Sequence, residues 1–372
     1  MTASERDERH LRRAIELAAE AHGRTSPNPL VGAVIVKGGE PIGEGFHAAA
    51  GEPHAELMAL ASCEKDPAGA TLYVSLEPCA HDGRTPPCTD AIVRAGIRRV
   101  VVASDDPSTR ASGRGPGVLR DEGIAVDFAG DGAAIAARLL NQPFRKHAKT
   151  GRPLVILKQA MTLDGKVATS TGDSKWISSE ASRARSHRWR SEVDAVAAGI
   201  GTALSDDPRL TSWMHEGGES RGRRVIFDSE ARLPVTSQLV RTAAECQVTV
   251  ICSRAASRRA TEALVAAGVE VITVTGENEG ARVAAALLEL GTREVQSILL
   301  EGGPHLAGAF FDAGEIDEVR TFIAPMLAGG RQARAPIEGQ GVEAIGEAPR
   351  AVSTLVERIE EDVLISARLR EW

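Results

Sequence analysis

Residues 71–103, TLYVSLEPCAHDGRTPPCTDAIVRAGIRRVVVA, hold an apolar run at 71–76, a loop rich in Pro and Gly that ends at Cys88, a helical stretch at 89–95 and a second apolar run at 99–103. Strand, helix and strand in that order form a βαβ-like rhythm, which places the chain in the α/β class. Upstream, Leu11, Ala14, Ile15, Ala18 and Ala21 recur at helical spacing, so an amphipathic helix with Ser4 as its N-cap is predicted. Short strands at 34–36 and 42–46 flank the turn Lys37-Gly38-Gly39, and a helix follows over about 53–63. Residues 145–153 lack apolar periodicity and end in Pro153, the pattern of an exposed linker. Beyond them, strand-like runs at 154–159, 225–228, 248–252, 270–274 and 297–300 alternate with helical stretches and predict a largely parallel sheet. Runs at 352–359 and 363–369, split by Glu360-Glu361-Asp362, predict a closing antiparallel hairpin.

At roughly 150 residues per domain, 372 residues imply two to three domains, read here as 1–147 and 148–372. Forty-four Lys and Arg against 51 Asp and Glu leave a net charge of −7, without the basic surplus that binding a phosphate backbone needs. Aromatic residues are 3%, too few for a platform of stacked bases, so no nucleic-acid partner is expected. The longest mostly apolar run, 195–204, is half of the ~20 residues a membrane-spanning helix requires, so no membrane partner is expected either. No apolar signal core is visible near the amino terminus, and a cytoplasmic location is expected. In a reducing compartment five cysteines serve as metal ligands or small buried groups more often than as disulfides.

Their spacing singles out Cys79 and Cys88. Pro53-His54-Ala55-Glu56, Glu77-Pro78-Cys79 and Pro87-Cys88 offer an imidazole, two thiolates and a carboxylate. Three protein ligands with a fourth tetrahedral position open to water is the inventory of a catalytic zinc, with His54, Cys79 and Cys88 as ligands and Glu56 as proton carrier. Residues two apart in mid-helix project to opposite sides, so His54 and Glu56 reach one centre only if their helix meets it end-on. Pro53 and Pro87 favour helix starts there, aiming two positive helix ends at the thiolates. Eight residues separate the cysteines, where the short form of this signature has two. A structural zinc would need a fourth protein ligand, for which His81 or Cys63 is available.

Three stretches together, Thr25-Ser26-Pro27-Asn28-Pro29-Leu30-Val31-Gly32, Gly51-Glu52-Pro53-His54-Ala55-Glu56 and 75–88, resemble the bifunctional riboflavin biosynthesis deaminase/reductase family, in which the long loop between the cysteines is normal. The resemblance implies a cytidine-deaminase-like amino-terminal domain. It also implies zinc on His54, Cys79 and Cys88, proton transfer by Glu56, and Asn28 against the pyrimidine of a phosphorylated substrate. In Asp106-Pro107-Ser108-Thr109, Ser108 departs from the family, which usually has Asn after that Pro.

The carboxyl-terminal half has no G-x-G-x-x-G opening a helix after its first strand, so a Rossmann domain is not indicated. Glu301-Gly302-Gly303-Pro304 between a strand and a helix offers another phosphate cradle, its free N–H groups available to a pyrophosphate. Motifs at 158–165, 174–177, 201–211 and 301–304 are similar to the family's reductase domain, which has the dihydrofolate reductase fold. By this resemblance Ala160, Trp176, Thr202, Asp206, Ser229 and the turn Gly303, Pro304, His305, Leu306, Ala307, Gly308 and Ala309 contact NADPH. Ser174, Arg190, Leu210 and Glu301 contact substrate. Lys158 is a candidate for polarising the opening sugar. Trp213 stands where the family often has Arg, with Arg221 or Arg223 as a replacement cation. Arg254, at the end of the 248–252 run, can pair with the 2′-phosphate of NADPH.

The combined expectation is a cytoplasmic homo-oligomer that deaminates a phosphorylated diaminopyrimidine and then reduces its ribosyl chain. The rival enzyme is a nucleoside or nucleic-acid zinc deaminase with an unrelated accessory domain. The rival from another class is a scaffold closed around a four-ligand zinc.

Overall fold

The computed structural model describes residues 2–81, 86–109, 111–212 and 222–372. The chain forms two units, one running to Gly151 and including Trp372, the other Arg152–Glu371.

In the first unit, α1 (Ala3–Ala19) is capped by Thr2 rather than Ser4: Thr2 Oγ1 accepts from Glu5 N at 3.2 Å and Thr2 N donates to Glu5 Oε2 at 2.7 Å. This reciprocal pair satisfies two otherwise orphaned helix donors, which decides the start two residues before the predicted cap. The strands β1 (Gly32–Lys37), β2 (Glu40–Phe46), β3 (Thr71–Val74), β4 (Arg99–Val102) and β5 (Ala125–Phe128) form one sheet in the order β2-β1-β3-β4-β5, with β1 antiparallel to its neighbours and β3, β4 and β5 parallel. Alternate residues face opposite layers. Ala33, Ile35, Leu72, Val74 and Val100 pack with α2 (Ala55–Ala61), α3 (Cys88–Arg94) and α4 (Arg114–Asp121). Val34, Val36, Tyr73 and Val101 pack with α1 and α5 (Asp131–Leu140).

Two glycines seat the elements that carry chemistry. A Cβ on Gly45 of β2 would lie 2.4 Å from Ala59 N of α2, and one on Gly115 of α4 would lie 1.8 Å from Pro78 O, so only glycine permits either approach.

The predicted linker 145–153 is largely a helix, α6 (Gln142–Thr150), in which Arg145 and Lys146 are buried. Arg145 donates to Ser104 Oγ at 3.2 Å, Asp105 O at 2.8 Å, the Asp105 carboxylate at 3.2 Å and Trp372 O at 2.7 Å. Polar side-chain bonds place this helix, so it leaves no apolar period to read. Just before it, Asn141 accepts from Leu30 N at 2.8 Å and donates to Leu30 O at 2.9 Å, pinning the segment that carries Asn28.

The second unit is built on one nine-stranded sheet. Its strands are β6 (Leu154–Thr162), β7 (Ala195–Gly199), β8 (Arg223–Phe227), β9 (Val248–Cys252), β10 (Glu270–Thr273), β11 (Ser297–Leu300), β12 (Glu318–Ala324), β13 (Ser353–Ile359) and β14 (Asp362–Arg368), in the order β10-β9-β8-β7-β11-β6-β12-β14-β13. All pairs up to β6 with β12 are parallel, and β12-β14-β13 is antiparallel, so the parallel sheet and closing hairpin predicted from sequence are both present. The helices α7 (Glu180–Glu192), α8 (Ile200–Asp206), α9 (Gln238–Arg241), α10 (Arg258–Ala266), α11 (Glu279–Gly291) and α12 (Pro304–Asp312) connect the parallel strands and cover the sheet's two faces. The longest apolar run, 195–204, is the alanine-rich strand β7 followed by α8.

Candidate active sites

In the first unit His54 is the N-cap of α2, Glu56 stands in that helix's first turn, and Cys88 is the first residue of α3. Cys79 lies on the loop that follows β3. The end-on helix that the His54–Glu56 spacing demands is thus present. His54 Nδ1 is 3.2 Å from Cys88 Sγ and 3.5 Å from Cys79 Sγ, and one donor atom from each of the three residues lies within 4.8 Å of the others. Among the described residues neither His81 nor Cys63 joins this group. Cys63 instead donates to Ala59 O at 3.4 Å.

Hydrogen bonds from Cys88 and from His54 bring the Cys79 thiol down to about 4 against the opposing effect of burial. Cys88, buried beside that thiolate, is pushed up. A divalent cation among the three donors stabilises both thiolates together, so the donor set fits zinc. Glu56 is 3% exposed, and burial, with the Cys79 sulfur adding to it, pushes its carboxyl up to about 7. It can therefore hold a proton in the interior, as a carrier must.

Sequence reasoning missed His47. Its buried ring has Nδ1 3.1 Å from Pro53 O and Nε2 3.1 Å from Asn28 Nδ2. The carbonyl of Pro53 accepts only, so Nδ1 carries the hydrogen and Nε2 accepts from Asn28. The bond fixes which way the Asn28 amide faces. No spacing signal marks His47, because it follows the end of β2 and acts through a residue nineteen positions away.

In the second unit a cavity of about 1110 Å³ lies beyond the carboxyl ends of β7, β8, β9 and β11 and along β6. Ligands bind in this place in open α/β sheets. Its lining includes Ala160, Trp176, Thr202, Asp206 and Ser229, and also Gly303, Pro304, His305, Leu306 and Ala309 from the start of α12. Ser174, Arg190, Leu210 and Glu301 line it too. Three of the residues assigned to NADPH do not: Ala307 and Gly308 lie on α12 away from the cavity, and Arg254 is exposed after β9. Trp213 and Arg221 lie outside the described residues. Arg223 does not line the cavity; its guanidinium is engaged with Thr249 and Glu270.

Gly303 is the N-cap of α12 with Pro304 at its first turn, which leaves the helix's first N–H groups directed to the cavity. A Cβ on Gly303 would meet only Thr202 Oγ1, at 3.6 Å, so the cradle is open. Single small-molecule sites span roughly 300–1,000 Å³, and this cavity stands at the upper end of that range.

Glu301, at the end of β11, receives Arg190 Nε at 2.6 Å and Nη2 at 3.0 Å, and Lys158 Nζ lies 3.8 Å away. Burial alone would raise its carboxyl, but Arg190 and then Lys158 outweigh it and bring the group down to about 2. Arg190 Nη1 donates to Thr211 O at 3.1 Å, which leaves one N–H on each Nη for a ligand. Leu210 borders the cavity with its backbone held at φ 52, the left-handed region, while its side chain is buried in the core on that side of the sheet.

Two family models match the chain: the cytidine and deoxycytidylate deaminase zinc-binding region over residues 4–104, and the RibD C-terminal domain over 153–365. The riboflavin biosynthesis protein RibD of Actinobacillus pleuropneumoniae is 41% identical over 96% of this chain and 93% of its own. That of Aquifex aeolicus is 41% identical over 96% and 97%. Among solved structures, Acinetobacter baumannii RibD superposes with a TM-score of 0.87 at 35% identity, covering 99% of this chain and 100% of that one. A Thermotoga maritima diaminohydroxyphosphoribosylaminopyrimidine deaminase/5-amino-6-(5-phosphoribosylamino)uracil reductase does so at 0.84 and 34% identity, with the same coverage.

Proposed function

Because the chain belongs to the RibD family of bifunctional riboflavin biosynthesis deaminase/reductases, we propose that residues 1–147 deaminate 2,5-diamino-6-ribosylamino-4(3H)-pyrimidinone 5′-phosphate and that residues 148–372 reduce the ribosyl chain of the product. The observation that carries the reading is the convergence of His54, Cys79 and Cys88 with the buried Glu56, three donors and one unligated acid.

His54, Cys79 and Cys88 hold the zinc, which when bound supplies Lewis-acid activation of the water that replaces the 2-amino group. Glu56 takes the proton from that water on its carboxylate and delivers it to the leaving nitrogen, so ammonia departs neutral. His47 accepts from the Asn28 amide and so turns Asn28 Oδ1 toward the N–H edge of the pyrimidine.

NADPH, when bound in the second cavity, would supply the hydride for reduction of the ring-opened ribosyl carbon, a proton from water completing the reduction. The N–H groups of Gly303, His305 and Leu306 hold its pyrophosphate, Pro304 fixing the start of α12, which is seated through Ala307, Gly308 and Ala309. Ala160, Trp176, Thr202, Asp206 and Ser229 line the remainder of its path, and Arg254 is the sequence candidate for its 2′-phosphate. Glu301, kept anionic by Arg190, accepts from ribityl hydroxyls, and the free N–H groups of Arg190 face the substrate with Ser174 and Leu210. Lys158 polarises the sugar oxygen during opening.

A cytoplasmic homo-oligomer completes the proposal. Five free cysteines support the first part, and the exposed Leu355 and Val356 on the edge strand β13 support the second. No helix among the described residues is long and apolar enough to cross a membrane. The test is one assay of the full chain with the diamino ribotide, following ammonia and NADPH together. Ammonia release followed by equimolar NADPH oxidation is expected. Deamination of cytidine with no NADPH oxidation would instead establish the nucleoside deaminase.

A further inference from the structure

We infer that Arg232, rather than Arg254, makes the second cavity prefer a nucleotide bearing a 2′-phosphate; the inference rests on the reading of that cavity as an NADPH site. Arg232 lines the cavity from the loop that follows β8, together with Ser229 and Glu230, whereas Arg254 is absent from the lining. Its guanidinium forms no hydrogen bond among the described residues. Its acidic neighbours stand off, Glu230 Oε2 at 3.6 Å and Asp228 Oδ1 at 3.9 Å. Its donors are therefore available to a ligand.

The surroundings define what that ligand must be. Asp228 commits one oxygen to Leu233 N at 2.8 Å, and its other oxygen is buried with no hydrogen-bond partner among the described residues. Glu230 thus stands exposed on one rim of the cavity with Asp228 buried behind it, and a phosphate dianion can enter there only beside a cation. Arginine is suited to that task because its planar fork matches phosphate oxygens. The rim is also held in place: Ser253 N and Oγ donate to Ser229 O at 3.0 and 2.9 Å, tying the loop after β8 to the end of β9. The Ser229 hydroxyl makes no hydrogen bond among the described residues and is a second donor for the same group.

Arg282, the other arginine on this side of the cavity, lies 3.8 Å from Glu279, which in turn lies 3.5 Å from His305 in the first turn of α12. That cluster borders the pyrophosphate cradle, so Arg282 serves the diphosphate rather than the 2′ position. Removing Arg232 exposes a 2′-phosphate to Asp228 and Glu230. A 2′-hydroxyl can donate to the Glu230 carboxylate. The loss must therefore fall on the phosphate and spare the plain nucleotide.

The experiment is calorimetric titration of the full chain with 2′,5′-ADP and with 5′-AMP. Arg232→Ala is expected to weaken 2′,5′-ADP by about tenfold or more, in the range of a lost charge-assisted bond, with 5′-AMP changed less than about twofold. Arg232→Lys keeps part of the preference, which separates loss of the charge from loss of the fold. Arg254→Ala and Arg282→Ala leave the ratio of the two affinities unchanged. An unchanged ratio in Arg232→Ala, or a ratio abolished by Arg254→Ala or Arg282→Ala, overturns the inference. Failure of the unaltered chain to bind either probe overturns the NADPH reading of the cavity and the inference with it.

Discussion

A carboxylate and a guanidinium carry the sharpest consequences at the residue scale. Glu56 is buried beside the three donors without being one of them, so its removal separates binding from chemistry. Glu56→Ala is expected to retain one zinc per chain by elemental analysis while ammonia release falls about 10²–10⁴-fold, the usual contribution of a positioned proton carrier. Loss of zinc together with activity would assign Glu56 a different role. Glu301 makes the complementary case. Its carboxyl sits at about 2 because Arg190 outweighs burial, so its folded value is depressed below the ordinary 4.5. Such a group stabilises the fold above the unfolded value and loses that contribution as pH falls through roughly 4.5 toward 2. Glu301→Gln, which strands the largely covered Arg190, is expected to cost about 3 kcal/mol near neutral pH, the lower end for a fully buried pair. Denaturant unfolding of both proteins checks this. The gap narrows below pH 4.5, and a gap independent of pH would contradict the ion pair.

Elements bring these residues together, and their legibility differs for physical reasons. The zinc set is readable because His54 and Cys88 sit at helix starts marked by Pro53 and Pro87, and capping chemistry is local in sequence. His47 was not readable, because its role depends on Asn28 and Pro53 meeting it across a fold. The helix α6 reads as a linker in sequence because Arg145 fastens it through polar bonds instead of an apolar stripe. Alanine-rich β7 gave no β-branched pattern, although it lies between β8 and β11 at the centre of the second sheet. In the reductase half the sequence supplied a turn and a list of contacts by resemblance, yet the commitment of Arg190 to Glu301 needed the sheet to bring β11 and α7 together. One element-level test follows from α4. Gly115→Ala places a methyl 1.8 Å from Pro78 O and must shift the loop that holds Cys79. Zinc affinity is expected to fall by at least about tenfold, with a stability loss of about 1–3 kcal/mol typical of overpacking. Equilibrium competition with a chromogenic chelator measures the affinity, and unaltered zinc binding would show that α4 does not set the Cys79 position.

For the whole molecule, two compact units with separate donor sets imply two separable activities on one chain. The same phosphorylated pyrimidine must satisfy both sites. Pre-deaminated ribotide is expected to be reduced at an unchanged rate by Glu56→Ala, as judged by NADPH absorbance; a matched loss would mean that the units do not work independently. The most direct measurement is removal of zinc from the full-length protein, with ammonia and NADPH followed before and after the metal is restored. The account predicts that the stripped protein releases no ammonia, still reduces the deaminated ribotide, and regains ammonia release with one zinc per chain. Full ammonia release from metal-free protein would contradict it.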